Sequence, residues 1–322
     1  MMRSARMRYD RESCYYHVFN RVSGEPGWHP FGEVEREEMF RIMDHVNKLY
    51  AIDIVSFVAM GNHFHAVVRA PSELPGLAEV KRRFKAYYGK DREAPDWRMK
   101  VNYETYARRM RDVSALMKDF QQHFTNWFNR TRPHGRRGGL WADRYKSVIL
   151  ESGRAVWECV QYVEMNPVRA GLVADAADYR HSTWGMLCGS GRHCFGVRLS
   201  EHLIGGLKEA VLIGKRRHNE EQLNDDEVIT CLRVKLAQLT AIESGADEAA
   251  FTEAENRARK KPSFVLTSQR RMRHWTEGAI IGSKLFVKSM TAEFYGDERA
   301  EKKRFDDSGA GLVSFRQLRV QL

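Results

Sequence analysis

The chain has 322 residues, of which 53 are Lys or Arg and 42 Asp or Glu, giving a net charge of +11. That excess points to a polyanionic partner, and hydrophobic residues at 43% supply enough apolar material for packed cores, which excludes a disordered tail protein. No apolar run approaches the ~18 residues of a membrane span, and the polar start (MMRSARMRYDRES) lacks the apolar stretch of a signal peptide, so a cytoplasmic, nucleoid-associated protein with no membrane partner is expected.

In chain order, residues 15–21 (YYHVFNR) read as a strand, followed by a Gly/Pro loop. Residues 35–50 carry Met39, Ile42, Met43, Val46 and Tyr50 at helical spacing. Residues 52–60 are rich in β-branched and apolar side chains; after the turn signal Gly61-Asn62, residues 63–69 form the second arm of a hairpin. A long basic stretch follows. Residues 81–137 hold sixteen Lys/Arg against six acids, an excess of ten, interleaved with aromatic residues such as Tyr87, Tyr88, Trp97 and Trp127. Basic side chains neutralise phosphates and exposed rings stack on unpaired bases, which favours a nucleic-acid face over a merely solvated helix surface.

Residues 113–130 are helical, with Leu116, Phe120, Phe124 and Phe128 on one side; 145–151 is a strand, and 154–165 a helix stopped by Pro167. Without the basic insertion the order is β-α-β-β-α-β with one further helix. That is an α+β chain with a ferredoxin-like core. Residues 186–322 read as a mainly helical C-terminal region, with helices over 203–213 and 226–240 and basic clusters at 257–261 and 270–273 that suit phosphate contacts or solvated helix ends. The five cysteines, Cys14, Cys159, Cys188, Cys194 and Cys231, are scattered and odd in number, as in a reducing compartment. Cys188, His193 and Cys194 lack a second pair at metal-ligand spacing, so zinc is not expected.

Two constellations carry chemistry. In Gly61-Asn62-His63-Phe64-His65, the strand period sends both imidazoles to one face of a sheet, as metal ligation requires, although a satisfied or merely exposed pair has the same pattern. In Tyr162-Val163-Glu164-Met165-Asn166-Pro167, Tyr162 and Asn166 are four apart and share one helix face. Tyr162 then reaches the pocket of the His pair, with the Asn166 amide oxygen as a third ligand. The bland alternative is a packing tyrosine and a helix-end asparagine.

GNHFHAVV (61–68), LWADRYKSVILE (140–151) and YVEMNPVRAGLVADAADYRHSTW (162–184), in that order, resemble the single-tyrosine HUH transposases, and most of all the REP-associated tyrosine transposases. The resemblance spans residues 8–185. It departs from the family at Gly61, where relatives often carry proline, and in the insertion at about 72–112, which is longer than in compact members. TEGAIIGSKLFVK (276–288) is loosely similar to a tail of some larger relatives, and no chemistry attaches to it.

The resemblance implies a metal-dependent single-stranded DNA endonuclease and strand transferase. Tyr162 is the nucleophile that forms a 5′-phosphotyrosine; His63, His65 and Asn166 hold Mg²⁺ or Mn²⁺; the substrate is a hairpin-forming repeat with a short unpaired guide sequence. Arg82, Arg83, Lys85, Arg136, Arg137, Trp141, Arg144 and Lys146 are expected on the DNA. Two other readings stay open, a catalytically silent single-strand binding protein and a metal nuclease that uses water. Oligomeric state is left open.

Overall fold

Runs with a two-residue period form four strands in the computed structural model, which describes residues 12–25, 27–212, 223–243, 273–297, 300, 306–307 and 312–316. These are β1 (Cys14–Arg21), β2 (Asp53–Ala59), β3 (His63–Ala70) and β4 (Lys146–Leu150). They pair antiparallel in the order β2-β3-β1-β4. Helix α1 (Glu33–Asn47) connects β1 to β2. After β3 the insertion folds as α2 (Leu77–Tyr88) and α3 (Lys100–Met110), and α4 (Val113–Arg130) leads back to β4. Met39, Met43 and Val46 of α1 and Leu116, Phe120 and Phe124 of α4 share one core with Val18, Phe64, Ala66 and Val68, which lie on one face of the strands. The arrangement is the expected ferredoxin-like one, within an α+β chain.

The insertion joins this same layer. Val80, Ala107 and Met110 belong to its core, and Phe84, Trp97 and Tyr106 pack on one another with ring centroids 5.4 Å apart. The aromatic rings of the basic stretch therefore serve the fold: Phe84, Phe120, Phe124 and Phe128 are buried, and the others pack against the core while staying partly exposed.

The opposite face of the sheet carries α5 (Arg154–Glu164). Its Val156, Val160 and Val163 pack against Tyr15, Val58, Val67 and Val148. Pro167 sits in the first turn of α6 (Asn166–Arg169), where its missing N–H costs nothing, and α5 ends before it. Beyond lie α7 (Thr183–Ser190), α8 (Ser200–Leu212) and α9 (Asp225–Glu243). Helix α8 crosses α5 at Gly206, where a Cβ would stand 2.4 Å from both the Gly153 carbonyl oxygen and the Trp157 Cβ. Only glycine allows so close an approach.

The C-terminal region includes helices, yet part of it is built into the core sheet. After α10 (Arg273–Glu277), β5 (Gly278–Gly282) runs parallel to β4, with Ile149 opposite Ile280 and Leu150 opposite Ile281. Following α11 (Lys284–Tyr295), β6 (Asp306–Asp307) and β7 (Val313–Arg316) bring the sheet to seven strands, in the order β2-β3-β1-β4-β5-β7-β6. The boundary expected after residue 185 is thus crossed by the sheet. The reason is physical: GAIIG is buried along its whole length and covers what would be the open hydrogen-bonding edge of β4. The basic run 257–261 and residues 270–272 of the second basic cluster lie outside the described residues.

Glu164 anchors α5 from beneath. It accepts hydrogen bonds from the Ser56 hydroxyl (2.7 Å) and the Trp184 backbone N–H (3.2 Å), and burial pushes its carboxyl up to about 7 against those bonds. Between the ordinary carboxyl range and pH 7 the native state holds this proton while the unfolded chain has lost it. Stability therefore falls as pH rises across that window, by on the order of 3 kcal/mol from this one group. Glu164→Gln should flatten that slope when denaturant midpoints are compared at pH 5 and pH 8; parallel declines in the two proteins would count against it.

Candidate active site

The site grows from the strand period. His63 and His65, two apart on β3, point to the face that α5 covers. Register puts His63 opposite Arg21 and His65 opposite Phe19, and Phe19 opposite Lys146 of β4. One row across this face therefore reads His65, Phe19, Lys146, and the next Val67, His17, Val148. The Phe19 ring stacks on His65 (5.5 Å) and on His17 (5.0 Å), and the rings of His63 and His65 stand 5.1 Å apart at 89°.

Tyr162 arrives from α5. Its ring lies edge-on to both His65 and His17, each at 5.8 Å. Trp275 of α10 stacks on it at 5.9 Å, and the Arg169 guanidinium lies 5.4 Å from its ring centre. Arg169 is held there by donating to the Tyr162 carbonyl (3.1 Å) and to Glu243 of α9 (3.0 Å). The structure thus brings His63, His65 and Tyr162 together. Asn166 begins α6, and its amide nitrogen donates to the carbonyls of Tyr162 (3.0 Å) and Val163 (3.1 Å). Those bonds tie the amide to the end of α5, and among the described residues it makes no hydrogen bond to the imidazoles.

Burial sets the electrostatics. The His63 imidazole is pushed down to about 4 by desolvation, with further repulsion from Arg21 and His29, and His65 is driven well below its ordinary value by burial and by its histidine neighbours. Both are therefore neutral at physiological pH, the form that binds metal. Desolvation raises the Tyr162 phenol to about 12, while Arg169 pulls in the opposite direction.

The donor set fits a divalent cation on its chemistry. His63 Nδ1 is bonded to the Asn62 side-chain oxygen (2.8 Å), and the Asn62 amide nitrogen donates to the Trp28 carbonyl (3.1 Å), which fixes which way that amide faces. The oxygen only accepts, so His63 carries its proton on Nδ1 and its Nε2 keeps the lone pair. His65 likewise uses Nδ1 in a bond to His17 (2.9 Å) and leaves Nε2 out of it. No cluster of three His, Cys, Asp or Glu able to hold a metal occurs among the described residues.

The expected DNA contacts separate by face. Arg82, Arg83 and Lys85 lie on α2, in the layer opposite the His–Tyr face. Arg82 pairs with Glu79 (2.6 Å). Arg83 is turned inward, donating to Glu79 and to the carbonyls of Asn47 and Tyr50, so it fastens α2 to the end of α1. Arg136 is also engaged internally, closing its loop on Asn129 and Gly139 (2.8 Å each). Lys85 and Arg137 are exposed. Trp141 packs on Phe31, Phe64 and Phe124 and, with Arg144, lines an open groove of about 790 Å³ between α4 and the 141–145 loop. Lys118, Gln122 and Asn126 line the same groove from α4. Lys146 continues from that loop onto the His–Tyr face.

Residues that sequence reasoning passed over are His17, Arg21, Asn62, Arg169 and Trp275. Once β1 is paired with β3, the strand period puts His17 on the face of the His pair. Nothing in the sequence signalled Trp275, whose contact spans more than a hundred residues.

No family model matches the chain, and no curated protein matches it. Among solved structures, the chain is similar to that of the REP-associated tyrosine transposase bound to a REP hairpin, at 16% identity and a TM-score of 0.39, over 59% of this chain and 87% of that one.

Proposed function

We propose that the protein cuts and rejoins single-stranded DNA, acting as a transposase on hairpin-forming repeat elements, with Tyr162 as nucleophile. The observation that carries this reading is the edge-on approach of the Tyr162 ring to His65, within a pair of neutral imidazoles 5.1 Å apart on one face of the sheet. The Tyr162 oxygen attacks the scissile phosphorus, the bond from phosphorus to the 3′ oxygen breaks, and the departing 3′ oxygen takes up a proton as the phenol loses its own. The products are a 5′-phosphotyrosyl ester and a free 3′-OH. Because the ester keeps the energy of the phosphodiester, a second 3′-OH reverses the step on a new strand without ATP.

His63, His65 and Asn166 would hold the divalent cation, Mg²⁺ or Mn²⁺, which when bound supplies charge neutralisation at the phosphate. Arg169 favours loss of the phenolic proton, which burial opposes. Arg21 and Lys146 flank the imidazoles on the same face and offer charge to the neighbouring phosphates. Arg144 and Trp141 in the adjoining groove extend the path for the unpaired strand, and Arg82, Lys85 and Arg137 are left for the hairpin at a distance.

A second reading, a metal nuclease that uses water, draws support from the burial of Tyr162, which is only 8% exposed. One experiment separates the two. A labelled hairpin oligonucleotide with single-stranded flanks is incubated with the protein and Mn²⁺, then run on a denaturing gel with and without protease. Transesterification gives a slow-migrating, protease-sensitive band and a free 3′-OH fragment; two free fragments with no adduct would establish the water mechanism.

A further inference from the structure

His17 is fully buried on β1 and uses both ring nitrogens. Nδ1 is 2.9 Å from the Trp275 carbonyl oxygen, and Nε2 is 2.9 Å from His65 Nδ1. A carbonyl can only accept, so the proton on His17 lies at Nδ1. A neutral imidazole has one N–H, so His17 Nε2 is then an acceptor, and His65 must donate from its own Nδ1. His65 Nε2 is left with its lone pair. The direction of every bond in this chain follows from one backbone carbonyl at its far end.

We infer that His17 is a positioning residue: it fixes the tautomer and ring orientation of His65, and the C-terminal region, through the Trp275 carbonyl, sets the direction of the whole relay. The inference rests on the proposed metal role of His65 for its functional meaning, but not for its geometry. It mirrors the hold of Asn62 on His63, where the Trp28 carbonyl is the terminal acceptor. Each imidazole of the pair is thus oriented by an uncharged partner anchored to a main-chain carbonyl, a pattern that keeps ligand nitrogens basic and correctly aimed. One anchor comes from the loop after β1. The other comes from α10, next to the strand that extends the sheet beyond β4, so the last part of the chain belongs to the site and is no mere appendage.

The test uses the full-length, metal-free protein labelled with ¹⁵N-histidine, with the His65 signals identified by their loss in His65→Gln. Ring-nitrogen shifts and long-range couplings should show His65 protonated at Nδ1 and unprotonated at Nε2. Protonation at Nε2 in the wild type would overturn the proposal, whatever the protein does with metal. In His17→Phe, which has no acceptor, His65 should become a mixture of tautomers and Mn²⁺ affinity should fall ~10–100-fold. His17→Gln, whose amide both donates and accepts, should restore most of it. A folded His17→Phe protein with the wild-type tautomer and wild-type Mn²⁺ affinity would also overturn the proposal. A wild type with the expected tautomer that binds no Mn²⁺ would uphold the relay and remove the metal from the proposed function.

Discussion

Tyr162→Phe is expected to bring covalent protein–DNA adduct down to background, a loss of at least ~10³-fold, while the affinity for the hairpin oligonucleotide stays within a few-fold of wild type. The substitution is unusually clean at this position. A phenylalanine ring keeps the stacking on Trp275 and the edge contacts with His65 and His17, and the hydroxyl it removes has no hydrogen-bond partner among the described residues. Thermal stability should therefore be unchanged, so that loss of adduct reports on chemistry alone. Adduct at the wild-type level in this variant would take the nucleophile's role from Tyr162.

His63→Ala and His65→Ala are each expected to lower Mn²⁺-dependent cleavage by ~10³-fold or more, because each removes one of two nitrogen ligands from a site with few other donors. The two variants should differ in stability. His63 is partly exposed, so truncating it lets water into the vacated space beside its partner, the Asn62 oxygen. Loss of His65 strands the fully buried His17 Nε2 without a partner, at a cost of about 1–3 kcal/mol. Cleavage at the wild-type rate in either variant would contradict the ligand assignment, and equal stabilities would contradict the hydrogen-bond reading.

The parts of this site that were legible in the sequence are those set by local periodicity. A two-residue period is enough to put His63 and His65 on one face, and the helical pattern of residues 154–165 together with Pro167 places Tyr162 near the end of a helix packed on the sheet. The order of strands and helices from residue 15 to residue 165 follows the expected ferredoxin-like course for the same reason. What stayed hidden depends on tertiary contacts. GAIIG is too short to tell strand from helix by pattern, so the parallel pairing of β5 with β4 and the arrival of Trp275 over Tyr162 had no local signature. His17 reads in sequence as one more strand residue, and only its two bonds reveal a different task.

Charge composition carries little information about position. The excess in residues 81–137 is real, but the insertion packs on the α1/α4 layer, away from the His–Tyr face, and a count of cations cannot say which are already engaged. Arg83 had Glu79 four residues before it, a spacing that favours an ion pair on a helix, and Arg109 pairs with Asp119 across two helices. By contrast Arg21, a single cation in an unremarkable strand, stands opposite His63 because of register.

The proposed chemistry requires one cation lying between His63 and His65 on the side that faces Tyr162. Anomalous diffraction from a crystal of the Tyr162→Phe protein grown with Mn²⁺ tests it most directly. The expected result is a single strong peak within bonding distance of Nε2 of both imidazoles and beside the residue-162 ring. A peak bound to neither imidazole, or on the opposite face of the sheet, would contradict it.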